Sequence, residues 1–310
     1  MKRYGPSITH YGVVIFLVVV GAASASAASL SFVTDPNTLF TVVPFPHQND
    51  PFNDLQTGQP DADIVGNANS PGFLTGCDGT YVYYRVRLGA TDLSHGVPTY
   101  AGLFWIGIDG NGDGVLDLFI GINNSGSSSQ IQFMAPGTGL NDSPKTTSIR
   151  KLQAGYSIAE NSSNYNYQSV NSTLQPGITT TDLNADGRID SFLTIRVPFT
   201  GVAGTATLQG AMAGLGNRNI TASTPLSYVI ATSTESNSLN QDIGGIDNKT
   251  ANLAQTYIQL GAITRQLNLN GTPYNPPPTV PEPATVVTIG AGLTVLVVRA
   301  TRRPGNYAAD

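Results

Sequence analysis

The chain has 310 residues and a formal net charge of −5 at pH 7, and only 11% of its residues are charged. An acidic chain without basic clusters in its central part argues against nucleic-acid binding, which requires lysine and arginine side chains to neutralise phosphates. The only cysteine, Cys77, excludes an internal disulfide, so the central body must be stabilised by its own hydrophobic core.

The first 27 residues have the three parts of a secretory signal peptide. Lys2 and Arg3 precede an apolar run from Gly12 to Gly21, and the small residues Ala25 and Ala27 then occupy the −3 and −1 positions of a cleavage site. An uncleaved anchor is the alternative, but an apolar run of about ten residues is short for a membrane span. The sequence therefore predicts export.

Residues 28–270 form the predicted folded body, and strand patterns dominate it. In the segment TYVYYRVRLG, a period of two places one set of side chains on a core face and the other toward solvent. The core set is Val82, Tyr84, Val86 and Leu88, and the solvent set is Tyr81, Tyr83, Arg85 and Arg87.

Further strands are predicted along the rest of the body, at 102–108, 116–122, 191–199, 205–212, 226–232 and 256–263. The first two are separated by a short glycine-rich turn, which predicts an antiparallel hairpin. Many short strands without a βαβ pattern predict an all-β fold, an antiparallel β-sandwich that is jelly-roll-like.

The predicted solvent face of TYVYYRVRLG suggests one possible binding surface. Aromatic rings with polar edges stack on sugars in β-sandwich modules, so Tyr81, Tyr83, Arg85 and Arg87 are candidate glycan-binding residues. The alternative is that these side chains only cover the sheet.

Two Asp-rich turns, DGNGDGVLD at 109–117 and DLNADGRID at 182–190, fit the same pattern D-x-N-x-D-G-x-x-D. Oxygen side chains at positions 1, 3, 5 and 9 surround a hard cation, position 7 offers its backbone carbonyl, and glycine at position 6 permits the chain reversal. The predicted ligands are Asp109, Asn111, Asp113, Val115 and Asp117 in the first loop, and Asp182, Asn184, Asp186, Arg188 and Asp190 in the second.

Both loops lack the glutamate of an EF-hand at position 12, where Ile120 and Leu193 stand instead. They resemble the shorter calcium turns of dockerin-like and thrombospondin-type repeats. The alternative is an ion-free turn, but clustered carboxylates without a cation would repel one another. The sequence therefore predicts two Ca²⁺ sites.

The C-terminal part of the chain reads as a spacer followed by a membrane segment. Residues 271–283 are rich in proline, residues 284–298 carry no charge, and residues 299–310 form a basic tail with Arg299, Arg302 and Arg303. An uncharged run bounded by arginines fits a transmembrane helix with its basic end in the cytoplasm, although it is shorter than the usual span.

The triplet Pro281, Glu282, Pro283 directly precedes this run, and the whole segment resembles the PEP-CTERM sorting signal of exported proteins from Gram-negative bacteria. The resemblance implies an exosortase partner and transient membrane contact through the C-terminal helix. It also implies an inner-membrane-anchored precursor that is then transferred to the cell surface or extracellular matrix. An ordinary C-terminal anchor is the alternative.

Three functions follow from these patterns. The first is a non-enzymatic, calcium-stabilised surface or matrix protein, the second is a carbohydrate-binding module for exopolysaccharide, and the third is a secreted hydrolase. The third has the least support, because His47 and His95 of the body have no metal-ligand spacing and no nucleophile or nucleotide motif is present.

Overall fold

The computed structural model describes residues 40–43, 49–56, 60–90, 100–124, 129–152, 156–171, 178, 180–216, 219–247 and 254–276. Four predicted segments lie outside these residues: the signal peptide, the PEP motif, the C-terminal helix and the basic tail. The predicted sorting and cleavage residues therefore also lie outside the described part, namely Ala25, Ala27, Pro281, Glu282, Pro283, Arg299, Arg302 and Arg303. In the described part, no helix has the length and hydropathy needed to span a membrane.

Antiparallel strands make up most of the described structure. They are β1 (Thr41–Val42), β2 (Phe73–Cys77), β3 (Tyr81–Leu88), β4 (Leu103–Asp109), β5 (Leu118–Asn123), β6 (Gln130–Pro136), β7 (Ile149–Lys151), β8 (Ser157–Ala159), β9 (Tyr165–Ser169), β10 (Ser191–Pro198), β11 (Ser227–Ser233) and β12 (Asp242–Ile243). The predicted β4–β5 hairpin is confirmed, with Ile106 opposite Ile120.

The strands form two sheets. The first has the order β1-β2-β3-β10-β9, and the second has the order β12-β11-β4-β5-β6-β7, with β8 also paired to β6. The apolar faces of both sheets contribute to one core: Tyr84 of the first sheet meets Tyr228 of the second, with ring centroids 5.8 Å apart. Two antiparallel sheets that share a core confirm the all-β sandwich.

The strand order of the second sheet departs from the chain order at one place. The consecutive strands β4, β5 and β6 lie side by side, and the distant strand β11 pairs with the first of them. The finer jelly-roll prediction requires two Greek keys and stays a prediction.

The outer face of the second sheet is also covered, so β4 is buried on both sides. Trp105 of β4 belongs to a second apolar cluster, together with Leu239, Ile243 and Tyr257 from the segment that follows β11. This layer explains why β4 reads as an almost continuous apolar run, LFWIGID, and shows little alternation.

Two predicted strands are wrong, because both segments are short helices. Residues 205–212 contain part of α1 (Leu208–Gly214), where the hydroxyl of Thr207 accepts a hydrogen bond from the Gly210 N–H. Residues 256–263 contain α2 (Tyr257–Leu260), which begins with a capping box between Thr256 and Gln259. In both cases a threonine satisfies the free N–H groups at the helix start and so favours the helix.

Candidate metal sites

The first Asp-rich loop connects β4 to β5 and is organised around the carboxylate of Asp109. Its Oδ1 accepts hydrogen bonds from the N–H groups of Asn111 at 3.0 Å and Gly112 at 2.6 Å, and its Oδ2 accepts one from Gly114 at 2.9 Å. Burial raises the pKa of the Asp109 carboxyl, although these three hydrogen bonds lower it. The loop is therefore folded around a largely buried carboxylate.

The second loop precedes β10 and repeats several of the internal hydrogen bonds of the first, although Oδ1 of Asp182 accepts from the Asp186 N–H at 3.2 Å. Position 6 donates its N–H to Oδ2 of position 1 at 2.9 Å in both loops, from Gly114 to Asp109 and from Gly187 to Asp182. Position 7 donates to Oδ1 of position 5, from Val115 to Asp113 at 2.9 Å and from Arg188 to Asp186 at 2.8 Å. The two loops thus share their fold as well as their sequence pattern.

The ninth position closes each loop in the same way. Asp117 accepts the Gly110 N–H at 2.9 Å, and Asp190 accepts the Leu183 N–H at 3.1 Å, so the last aspartate of each loop binds the second residue. Glycine at position 6 has a positive φ in both loops, 82° at Gly114 and 85° at Gly187. This left-handed conformation favours glycine, which agrees with the role predicted for that position.

The two loops differ in the surroundings of the last aspartate. The guanidinium of Arg87 forms a buried ion pair with Oδ2 of Asp190, through Nε at 2.7 Å and Nη2 at 2.6 Å. Burial raises the pKa of Asp190 to about 6 although Arg87 lowers it. Because a fixed cation beside a ligand opposes the binding of another cation, we expect the second loop to bind a cation less tightly than the first.

The tightest group of acidic side chains in the described residues lies in neither loop. One carboxylate oxygen from each of Asp50, Asp54 and Asp242 lies within 4.8 Å of the other two. In the described part of the chain, these three residues form a group of potential metal ligands. All three side chains are buried. This triad has the oxygen chemistry and the spacing to hold a metal ion.

The triad is held in place by backbone hydrogen bonds from separate segments. Asp50 Oδ1 accepts the Gly245 N–H at 2.8 Å, and Asp242 Oδ2 accepts the Ile64 N–H at 2.5 Å. The pKa values of Asp50 and Asp242 are both raised well above the usual range. Burial is the main cause, and the neighbouring carboxylates raise them further.

Asp63 lies beside the triad and connects it to the second Asp-rich loop. Its carboxylate accepts the Asn53 N–H at 3.0 Å, and burial raises its pKa to about 6. A Cβ on Gly89 would lie 2.9 Å from Nδ2 of Asn184 and 3.2 Å from Oδ2 of Asp63, so both side chains approach this glycine. Asn184, a predicted ligand of the second loop, therefore borders the acidic cluster.

The predicted solvent exposure of the candidate glycan-binding face is wrong for three of its four side chains. Tyr83, Arg85 and Arg87 are each at most 2% exposed. The Arg85 guanidinium lies 4.3 Å from the centroid of the Phe40 ring, and its Nε donates to Thr194 at 2.9 Å. The period of two was predicted correctly, but a further layer of side chains covers the outer face of β3.

Tyr81 and Tyr83 both contact side chains of this protein. Tyr81 is half-buried, and the Arg196 guanidinium lies 4.2 Å from its ring centroid. The hydroxyl of Tyr83 donates to Asp78 at 2.6 Å, and burial together with Asp78 raises the pKa of Tyr83 to about 12. An aromatic platform open to sugars is therefore not present on this strand.

No family model, characterised protein or solved structure matches the chain. The candidate sites therefore stand on their geometry alone. Sequence reasoning found both loops but missed the triad, since Asp242 is distant in sequence from the other two members. The only available indication was the number of aspartates in the segment NDPFNDLQTGQPDAD, residues 49–63.

Proposed function

We propose that the chain is an exported, non-enzymatic cell-surface or extracellular-matrix protein whose β-sandwich is stabilised by calcium and which is sorted by an exosortase. The order of VPEP, an uncharged run and arginines in residues 280–303 carries this proposal. A signal peptide pattern at the other end of the chain supports the same route.

The calcium part of the proposal is supported by the matched hydrogen bonds of the two loops. Each loop holds four oxygen-bearing side chains around one turn, and Ca²⁺ takes six to eight oxygen ligands from such side chains, backbone carbonyls and water. The carboxylates of Asp109 and Asp182 occupy equivalent places, which supports one ion in each loop. Calcium would then link each loop to the strand that follows it.

The carbohydrate-binding alternative loses its main support, because Tyr83, Arg85 and Arg87 are buried. No other observation favours it over the first function.

Mass spectrometry of the protein isolated from its host tests the sorting proposal. We expect a mature C-terminus upstream of Arg299, because exosortase processing acts near Pro281–Pro283 and removes the helix and basic tail. A Glu282→Ala variant is the matched control, and it should retain the tail. A wild-type C-terminus still at Asp310 would contradict the proposal.

A further inference from the structure

The acidic triad lies where residues 49–56 and 60–67 meet both sheets. Asp50 pairs with Gly66 as an isolated bridge, and Val65 donates its N–H to Arg87 O of the first sheet at 3.0 Å. Asp242 belongs to β12, the edge strand of the second sheet. The carboxylates that converge here thus come from distant chain segments, and the hydrogen bond from the Gly245 N–H to Asp50 joins residues 195 positions apart.

The cluster has carboxylate oxygens that protein donors do not satisfy. Asp50 uses Oδ1 for the Gly245 N–H, which leaves Oδ2 buried without a hydrogen-bond partner. Asp242 uses Oδ2 for the Ile64 N–H, which leaves Oδ1 in the same condition. Asp63, fully buried beside them, also has one unpartnered oxygen, Oδ1. Buried polar atoms are normally paired, so three such oxygens at one place indicate a missing partner.

The missing partner is expected to be positively charged. The charged groups that act on Asp50 are Asp242, Asp54 and Asp63, all of the same sign. Among the described residues, Arg87 and Asp190 form an ion pair. No described lysine or arginine forms an ion pair with Asp50, Asp63 or Asp242. Burying carboxylates without a compensating cation is costly.

We propose that Asp50, Asp54 and Asp242 bind a third divalent cation, Ca²⁺, which fastens residues 49–56 to the edge of the second sheet. The ligands are all oxygens, which suit a hard cation better than zinc, whose sites are built mainly from cysteine sulfur and histidine nitrogen. Mg²⁺ usually keeps several waters and is bound by only one or two carboxylates, whereas three converge here. This site goes beyond the two loops and does not depend on them.

Native mass spectrometry of the full-length chain in CaCl₂ at pH 7.5 counts the bound ions directly. We expect the Asp242→Asn variant to bind one Ca²⁺ fewer than the wild type, because a neutral amide replaces one of the three carboxylates. Asp247→Asn is the matched control, since Asp247 is exposed and lies five positions further along the chain; its count should equal that of the wild type. An unchanged count in Asp242→Asn overturns the proposal.

The count also separates this site from the loops. If the loops bind as proposed, the wild type holds three ions and Asp242→Asn holds two. If the loops bind none, the wild type holds one and the variant none, which contradicts the loop assignment and leaves the triad site standing.

Thermal melting provides a second test that does not depend on mass spectrometry. The opposing explanation is that the carboxyls share protons and bind no metal. In chelator, Asp242→Asn should raise the midpoint temperature, because it removes one of several like charges, and this also shows that the variant folds. In CaCl₂ we expect the variant to melt below the wild type. A variant that melts above the wild type in both conditions overturns the metal site in favour of shared protons.

Discussion

Replacing Arg87 by methionine is expected to lower the free energy of unfolding by about 3–5 kcal/mol, because the change leaves a buried carboxylate without its partner. The guanidinium and the carboxylate of Asp190 are both fully buried and 2.6 Å apart. Arg87 also donates to the Thr180 carbonyl at 2.8 Å, so the substitution removes a second contact. Urea denaturation in the presence of chelator measures the loss.

Arg150→Met is the matched control for this prediction. Arg150 is exposed on β7, and its Nε donates a hydrogen bond to the Pro136 carbonyl at 2.9 Å. A surface substitution of this kind usually changes stability by about 0.5 kcal/mol or less. Equal losses in Arg87→Met and Arg150→Met would show that the buried ion pair has no special role.

The loss in Arg87→Met should be smaller in CaCl₂ than in chelator. The substitution frees the Asp190 carboxylate, which is the ninth position of the second loop, and it removes a fixed cation that opposes the ion. A loss of the same size in both conditions would argue against Asp190 as a calcium ligand.

Replacing Asp109 by alanine is expected to destabilise the fold by about 3 kcal/mol, because three loop N–H groups lose a charged acceptor. The donors are Asn111, Gly112 and Gly114, at 2.6–3.0 Å from the carboxylate. Asp182→Ala is the matched comparison, since Asp182 has the same place in the second loop but is only half-buried. Water can solvate the N–H groups that donate to Asp182, so Asp182→Ala should lower the free energy of unfolding by less than Asp109→Ala.

Urea denaturation of both alanine variants in chelator tests this ranking without any contribution from a bound ion. If Asp182→Ala lowers the free energy of unfolding more than Asp109→Ala does, the buried carboxylate of Asp109 is not what stabilises the first loop.

The sequence predicted the strands of the sandwich well, because alternation and β-branched or aromatic side chains are local properties. The period of two in β3 and the hairpin of β4 and β5 were both found in this way. What alternation does not reveal is whether the outer face is covered. Arg85 and Arg87 are buried because Phe40, Phe192 and the segment near Thr180 pack over them, and these residues are distant in sequence.

The two misassigned helices show a different limit. The segments TATLQGAM and TYIQLGAI have apolar residues that fit a strand and a helix about equally well, and short segments are ambiguous by periodicity alone. The pattern Thr256-x-x-Gln259 was nevertheless a visible capping box. Weighing the cap above the apolar pattern would have given the correct assignment for α2.

The Asp-rich loops could be predicted because all their ligands lie within nine residues, so a single chain reversal brings them together. The triad could not, because Asp242 reaches Asp50 and Asp54 only after β12 has joined the second sheet. Sites of this second kind depend on the complete topology and leave no spacing in the sequence.

Thermal melting of the purified full-length chain in CaCl₂ and in chelator shows whether calcium stabilises this sandwich. A ligand that binds only the folded state contributes about 2.7 kcal/mol per site at one hundred times its Kd, which corresponds to about 5–10 °C for a domain of this size. We expect the midpoint temperature to be higher by at least that amount in CaCl₂. Identical midpoints in the two conditions would contradict it.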